Sequence, residues 1–240
     1  MKKNLLKVSA LTLALALPCF SAWADKYEIY PVPRSITMSN GTLALTQKVN
    51  VLCESTIDQI TRNRLASLLQ THGMEAVFGG SEEGAISLRL GTVGSGEEVE
   101  TWAFGELGLA KAKIMVSKKF DRHAISVSDK GITILGEHTN AVFCGLASLE
   151  QMLEQQVEGA LEHTTIYDRA DQQNRGLVEG YYGYPYSVEV KKELMRYMMR
   201  YKMNTYMFGA KSDPYHSQMW KDAYPTTISA EQEKNGWLTQ

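Results

Sequence analysis

Cysteine is scarce: the 240-residue chain has three, and one of them, Cys19, lies in an N-terminal leader. Two remaining thiols, Cys53 and Cys144, rule out a disulfide-dense scaffold. They fall in a predicted strand and a predicted helix, which leaves open either one disulfide or two plain core thiols. No His/Cys grouping has the spacing of a metal site, so neither a metal nor a cofactor is expected. Charge of one sign is lacking too. With 25 basic and 27 acidic side chains the net charge is −2, which argues against nucleic acid or an anionic membrane surface as partner. No apolar run reaches the roughly 20 residues that span a bilayer. Repeats and low-complexity tracts are absent, and no two aspartates are adjacent.

The N-terminus reads as a cleavable export signal. Lys2, Lys3 and Lys7 form a basic region, Leu11 to Leu17 a short apolar core, and Ala22-Trp23-Ala24 a small-residue cleavage site. Residues 1–24 are therefore expected to be removed before Asp25, giving a periplasmic or secreted protein of bacterial type with no membrane span. The remaining 216 residues carry 22 basic and 27 acidic groups, a mildly acidic balance, and allow one or two domains.

Residues 25–157 read as an α+β domain. Tyr27 to Arg34 alternates before two prolines, as an edge strand does, and Val49 to Cys53 is a second strand. Ile57, Ile60, Leu65, Leu68 and Leu69 recur at helical spacing, with Ser55 or Thr56 as cap and Gly73 after the end. Ile86, Leu88 and Leu90 alternate as a half-buried strand. Gly91 to Gly96 fits no phosphate-binding pattern and reads as a surface loop. Asp129-Lys130-Gly131 marks a hairpin between His123–Ser128 and Ile132–Leu135. Val142, Leu146, Leu149 and Leu153 form one helical apolar stripe. A mostly antiparallel sheet with helices on one face is the expectation, without convergent polar groups that would suggest chemistry.

Residues 158–174 are polar and read as a linker. From 175 to 240 the pattern changes to strand, helix, strand: Gly176–Glu179, a helix from Ser187 carrying Val190, Leu194, Tyr197 or Met198, and Tyr201, then Asn204–Phe208. That is the repeat of an α/β fold, whose chemistry sits at the C-terminal strand ends. The two ends lead into Gly180-Tyr-Tyr-Gly-Tyr-Pro-Tyr186 and Gly209-Ala-Lys-Ser-Asp-Pro-Tyr-His216. Tyrosines can stack on the apolar face of a sugar, and glycine lets backbone approach hydroxyls. Lys211 can donate to sugar hydroxyls or stand as a solvated charge. Asp213-Pro214 suits a stiff turn, and His216 a structural donor. Glu179 could serve as acid or nucleophile, but glycosidic chemistry usually needs two facing carboxyl groups and no partner is evident. A carboxylate that accepts hydrogen bonds at a strand end is the preferred reading.

Arg175-Gly-Leu-Val-Glu-Gly-Tyr-Tyr-Gly-Tyr-Pro-Tyr186 resembles the first barrel strand of glycoside hydrolase family 84, the β-N-acetylglucosaminidases that include O-GlcNAcases and hyaluronidase-like enzymes. Asn204 to His216, with Trp220 and Tyr224-Pro225, resembles that family's second strand and loop. Tyr30-Pro-Val-Pro33 and the α+β region after it look like the domain that precedes the barrel in the same enzymes. Family 20 hexosaminidases share such a domain, but their first barrel strand normally ends in aspartate and arginine, where this chain has Glu179-Gly180-Tyr181-Tyr182. The resemblance implies an α+β N-terminal domain of hexosaminidase type followed by the first two βα units of a (β/α)8 TIM barrel. It places Gly180 and Lys211 on positions that contact N-acetylglucosamine and Tyr182 at the pocket wall. Tyr186 and Ser212-Asp213 depart from the family, which often has tryptophan and two acids there, so packing and loop shape would differ locally.

The family's reaction is substrate-assisted: the 2-acetamido oxygen attacks the anomeric carbon, and one of two adjacent aspartates orients it while the other is acid, then base. That pair is expected beyond Gln240, so no catalytic residue is assigned within the chain. The 66 residues from Arg175 fall short of the roughly 250 of a complete barrel. The expectation is the N-terminal part of a retaining β-N-acetylglucosaminidase acting on an N-acetylglucosamine-containing glycan or glycoprotein. The alternative is an inactive glycan-binding or vestigial protein.

Overall fold

Residues 27–179, 186–207 and 230–231 are described by the computed structural model. In chain order the elements are β1 (Ser35–Ala44), β2 (Lys48–Cys53), α1 (Gln59–Thr71), β3 (Glu75–Phe78), β4 (Ile86–Thr92), α2 (Glu98–Gly105), α3 (Lys111–Ile114), β5 (Phe120–Ser128), β6 (Gly131–Gly136) and α4 (Thr139–Glu154). There follow β7 (Ala160–Ala170), β8 (Gly176–Val178), α5 (Val188–Arg200) and β9 (Thr205–Met207).

The first seven strands form one sheet in the order β1-β7-β5-β6-β4-β2-β3. Half of it is antiparallel, β1 on β7, β7 on β5 and β5 on β6. The other half is parallel, β6 on β4, β4 on β2 and β2 on β3. The sheet is thus mixed rather than mostly antiparallel, because α1 carries the chain back to start β3 alongside β2. Both faces are covered, not one. Leu65, Leu146 and Leu149 of α1 and α4 pack on Ile125, Val127, Ile132 and Ile134. Ala103 and Ile114 of α2 and α3 pack on Ala124, Leu135 and Tyr167 across the sheet. Alternation along β5 and β6 sends successive side chains to opposite layers, so near-continuous apolar strands are the consequence of being covered twice.

The hairpin stands where the turn residues put it: Ser128 pairs with Gly131 across Asp129-Lys130, and Gly131 has φ +101°. The α4 stripe of Val142, Leu146, Leu149 and Leu153 is buried. Three local expectations change. The α1 cap is Asp58, whose carboxylate accepts from Thr61 N at 2.7 Å, and Ile60 is 70% exposed. Residues 27–34 form no strand, because the backbone of Glu28 and Tyr30 is taken by side chains at the C-terminal end of α4 rather than by a neighbouring strand. Gln155 accepts from Glu28 N and donates to Glu28 O, and one turn earlier Gln151 does the same for Tyr30. The polar stretch expected as linker holds β7, seated between β1 and β5. Its threonines are β-formers, and Thr164, Ile166 and Tyr167 are buried.

Cys53 and Cys144 are free thiols. Burial pushes Cys53 up to about 11 and Cys144 to about 12, so neither is poised as a thiolate. The glycine-rich turn after β4 is filled from within. Gly94 N and Gly96 N donate to the Glu100 carboxylate at 2.7 and 2.8 Å. Burial opposes that charge, but these amides and Lys111 hold Glu100 below the usual carboxylate range. An internal acid therefore occupies the anion-holding position of this loop.

Candidate functional site

The second, small sheet pairs β8 and β9 in parallel, with Gly176 opposite Thr205 and Val178 opposite Met207. α5 connects them, so this is a βαβ unit. Ser187 caps α5 through Val190 N, as its place before the helical pattern predicts. Parallel pairing brings the C-terminal ends of both strands to one edge, the edge at which α/β folds collect their chemistry. Gly180, Tyr182 and Lys211 lie outside the described residues, as do Asp213 and His216.

Glu179, at the end of β8, is 4% exposed. It accepts from the Tyr206 hydroxyl of β9 at 2.5 Å and from Tyr186 N at 3.3 Å, and Lys191 of α5 lies 3.4 Å away. Its own amide donates to Met207 O. One carboxylate thus joins both strands, the helix and the backbone at Tyr186. A group so enclosed is an anchor for the strand ends, in keeping with the reading preferred from the sequence.

Only Met198 of the α5 apolar stripe is buried; Val190, Tyr197, Met195 and Met199 are exposed, as are Val178 and Met207. The unit instead attaches to the large sheet through its ends. Arg200 makes a two-point pair with Glu154 of α4, and Gln151 donates to Arg200 O at 3.2 Å. Lys202 Nζ reaches Asp168 of β7 at 2.8 Å, and Arg175 pairs with Asp121 of β5. Asp121, Asp168, Arg175 and Lys202 line a cavity of about 310 Å³, together with His123, Cys144, Pro31 and Val32. Convergent polar groups therefore do exist where the N-terminal domain meets the β8–α5–β9 unit. They come from β5, β7 and the segments that lead into β8 and β9, separations that no spacing rule connects. The signal available in the sequence was Lys202, which stands where a helix C-terminus usually places glycine.

His123 is fully buried. Its Nδ1 lies 2.7 Å from Asp121 O, which makes Nδ1 the protonated nitrogen, and Nε2 has no hydrogen-bond partner. Burial, reinforced by Lys202 and opposed by Asp168 and Asp121, pushes the imidazole below its ordinary value. The folded chain keeps it neutral while the unfolded chain takes up a proton below about pH 6.5. Stability is thus complete above that pH and declines as pH falls toward the lowered folded value, by at most about 1.4 kcal/mol per unit from this residue. Urea unfolding at pH 7.5 and 5.5 is expected to show this loss in the wild type and a smaller one in His123→Asn; equal losses would assign the slope elsewhere.

Among the described residues no group of three or more His, Cys, Asp or Glu side chains is placed to hold a metal ion. No described helix is long and apolar enough to cross a membrane.

A doubly covered mixed sheet resembling hexosaminidase N-terminal domains thus hands over to a parallel strand–helix–strand unit. Comparison with known proteins agrees. Residues 26–169, more than half of the chain, match the model for glycosyl hydrolase family 20, domain 2, and residues 175–234 match that for beta-N-acetylglucosaminidase. The chain belongs to the family 20 domain 2 family, and as a whole it is a glycoside hydrolase family 84-like N-terminal portion. CpGH84D is 33% identical with a TM-score of 0.72 over 88% of this chain and 34% of its own. Protein O-GlcNAcase of Rattus norvegicus is 41% identical over 49 residues, 20% of this chain and 5% of the relative. The GH20 exo-β-N-acetylglucosaminidase of Vibrio harveyi shares the fold, with a TM-score of 0.57 at 17% identity over 77% of this chain and 26% of its own. The chain thus spans about a third or less of each of these relatives.

Proposed function

We propose that the chain is the N-terminal portion of a retaining β-N-acetylglucosaminidase, in which β8 and β9 open a (β/α)8 barrel. The observation that carries this is the parallel pairing of β8 with β9, which starts the Gly180 and Lys211 segments from one edge. Gly180 and Lys211 contact the N-acetylglucosamine unit in this reading and Tyr182 borders it. The exposed apolar residues of α5, β8 and β9 support it, because further barrel elements would cover them. The substrate's acetamido oxygen is the nucleophile, giving an oxazoline and retained configuration. The adjacent aspartates that assist it follow a later strand, and residues 1–24 direct export.

The 240 residues alone are expected to turn over no aryl N-acetyl-β-glucosaminide; measurable hydrolysis that purifies with the chain would overturn the assignment of acid and base to a later segment. Titration with N-acetylglucosamine, followed by NMR, is expected to perturb the Gly180 and Tyr182 amides, and Lys211→Ala to weaken binding at least tenfold. No change in affinity on that substitution would remove Lys211 from the pocket.

A further inference from the structure

The side chains that launch β8 and β9 are held by the large sheet, and both holding points carry unusual backbone. α5 ends in a paired-bond cap: Met203 N donates to Met198 O at 2.8 Å and Lys202 N to Met199 O at 3.3 Å. In this motif the residue at the Lys202 position is left-handed and usually glycine. Lys202 has φ +58°. A lysine accepts that strained conformation here while its ammonium sits buried against Asp168, their side chains 7% and 8% exposed. Asp121 is the counterpart. It has φ +49° and lies where the β5–β7 register shifts between Phe120 and His123. A bulge of this kind re-aims a side chain, and its carboxylate meets Arg175.

Arg175 gathers the two launch points into one. Its Nε donates to Lys202 O at 3.0 Å and Nη1 to Gln172 O at 2.8 Å. Its carbonyl accepts from Asn204 N at 2.7 Å and Thr205 N at 3.0 Å. Gly176 follows immediately and begins β8; Thr205 begins β9. A buried ion pair often adds little net stability over apolar packing, and its best-attested use is to fix one register among alternatives.

We infer that Asp121 and Asp168 form a positioning clamp, which sets the mutual register of β8 and β9 by holding Arg175 and Lys202, so that the accessory domain places the two strand ends. That those ends serve a sugar rests on the proposed function; the clamp itself is tested without any sugar. Lys202 and Arg175 act through the backbone and are positioning residues. The cost of a left-handed lysine is otherwise unexplained, since glycine would cap α5 with less strain.

The test is amide hydrogen exchange on the intact 240-residue chain. Lys202→Gly keeps the cap and removes both the strain and the buried ammonium. It is expected to leave Met203 N protected while protection of Thr205 N and Glu179 N, which join β8 to β9, falls at least tenfold. Amides of the β5–β6 hairpin should not change. Asp168→Asn is expected to give the same pattern, and Lys202→Arg to restore most of the protection because it keeps a cation in reach. Unchanged Thr205 and Glu179 amides in Lys202→Gly would overturn the clamp. So would an equal fall in the hairpin, which would make the pair a contributor to global stability only. Either result leaves sugar binding by the chain untouched, so failure here is distinct from failure of the proposed function.

Discussion

Alanine at Gly91 is expected to destabilise the accessory domain by about 4 kcal/mol, the sum of overpacking and of displacing a buried acid from its donors. Gly91 is buried in β4, and a Cβ there would lie 2.7 to 2.8 Å from all three atoms of the Glu54 carboxyl group. That carboxylate is itself buried, accepting from Thr92 N at 2.7 Å and from Glu100 N in the first turn of α2 at 2.8 Å. An acid at that point satisfies an otherwise unpaired helix amide and faces the positive end of the helix. It cannot retreat from the new methyl group without abandoning both amides. The midpoint of thermal unfolding should fall by about 10 °C. Glu54→Ala is expected to cost about 3 kcal/mol by leaving the same amides unsatisfied. The double substitution should cost at least about 1 kcal/mol less than the two together, since the methyl group then enters vacated space. Additivity within about 0.5 kcal/mol, the usual scatter of independent sites, would show by urea unfolding that the close approach is not what requires glycine.

The second large effect is expected at Glu179. Glu179→Ala removes one buried acceptor shared by Tyr206, Tyr186 N and Lys191. Breaking such a pair on one side costs about 3 kcal/mol. Glu179→Gln keeps an acceptor for the Tyr206 hydroxyl and should lose about half as much. Urea unfolding distinguishes the cases: a loss below about 1 kcal/mol for the alanine variant, small against that of a broken buried pair, would exclude the anchoring role. The carboxylate would then be free for chemistry at the strand end. The Glu54 and Glu179 sites are instructive together. Each is an acid whose value lies in tying separate elements to one point, and in neither does the adjacent sequence reveal the donors.

Much of the chain was legible wherever one element carried its own signal. The hairpin at Asp129-Lys130 was readable because turn residues act locally, and the α4 stripe because four apolar residues at helical spacing need no partner to be recognised. The β8–α5–β9 order followed from short apolar runs around a capped helix. The motif at 175–186 pointed to the family through its resemblance to known enzymes, and residues 175–234 match the beta-N-acetylglucosaminidase model.

What failed were statements about partners. Residues 27–34 have the alternation of an edge strand, yet the amides and carbonyls of Glu28 and Tyr30 are taken by Gln155 and Gln151. β7 was hidden because threonine, histidine and glutamate look polar in isolation, and only its position between β1 and β5 pairs their backbone and buries Thr164. Ile60 has helical spacing but faces solvent, since the axis of α1 is set by Leu65, Leu68 and Leu69 against the sheet.

The sequence by itself determined the local elements and the family, because these depend on residue type and short spacing. Tertiary structure alone decided the mixed sheet, its two covered faces and the convergence of Asp121, His123, Asp168, Arg175 and Lys202 at the junction. Those five residues spread over 82 positions, from Asp121 to Lys202. Nothing short of folding brings a bulge carboxylate in β5 to the arginine that opens β8, because the pairing register across β7 sets the distance.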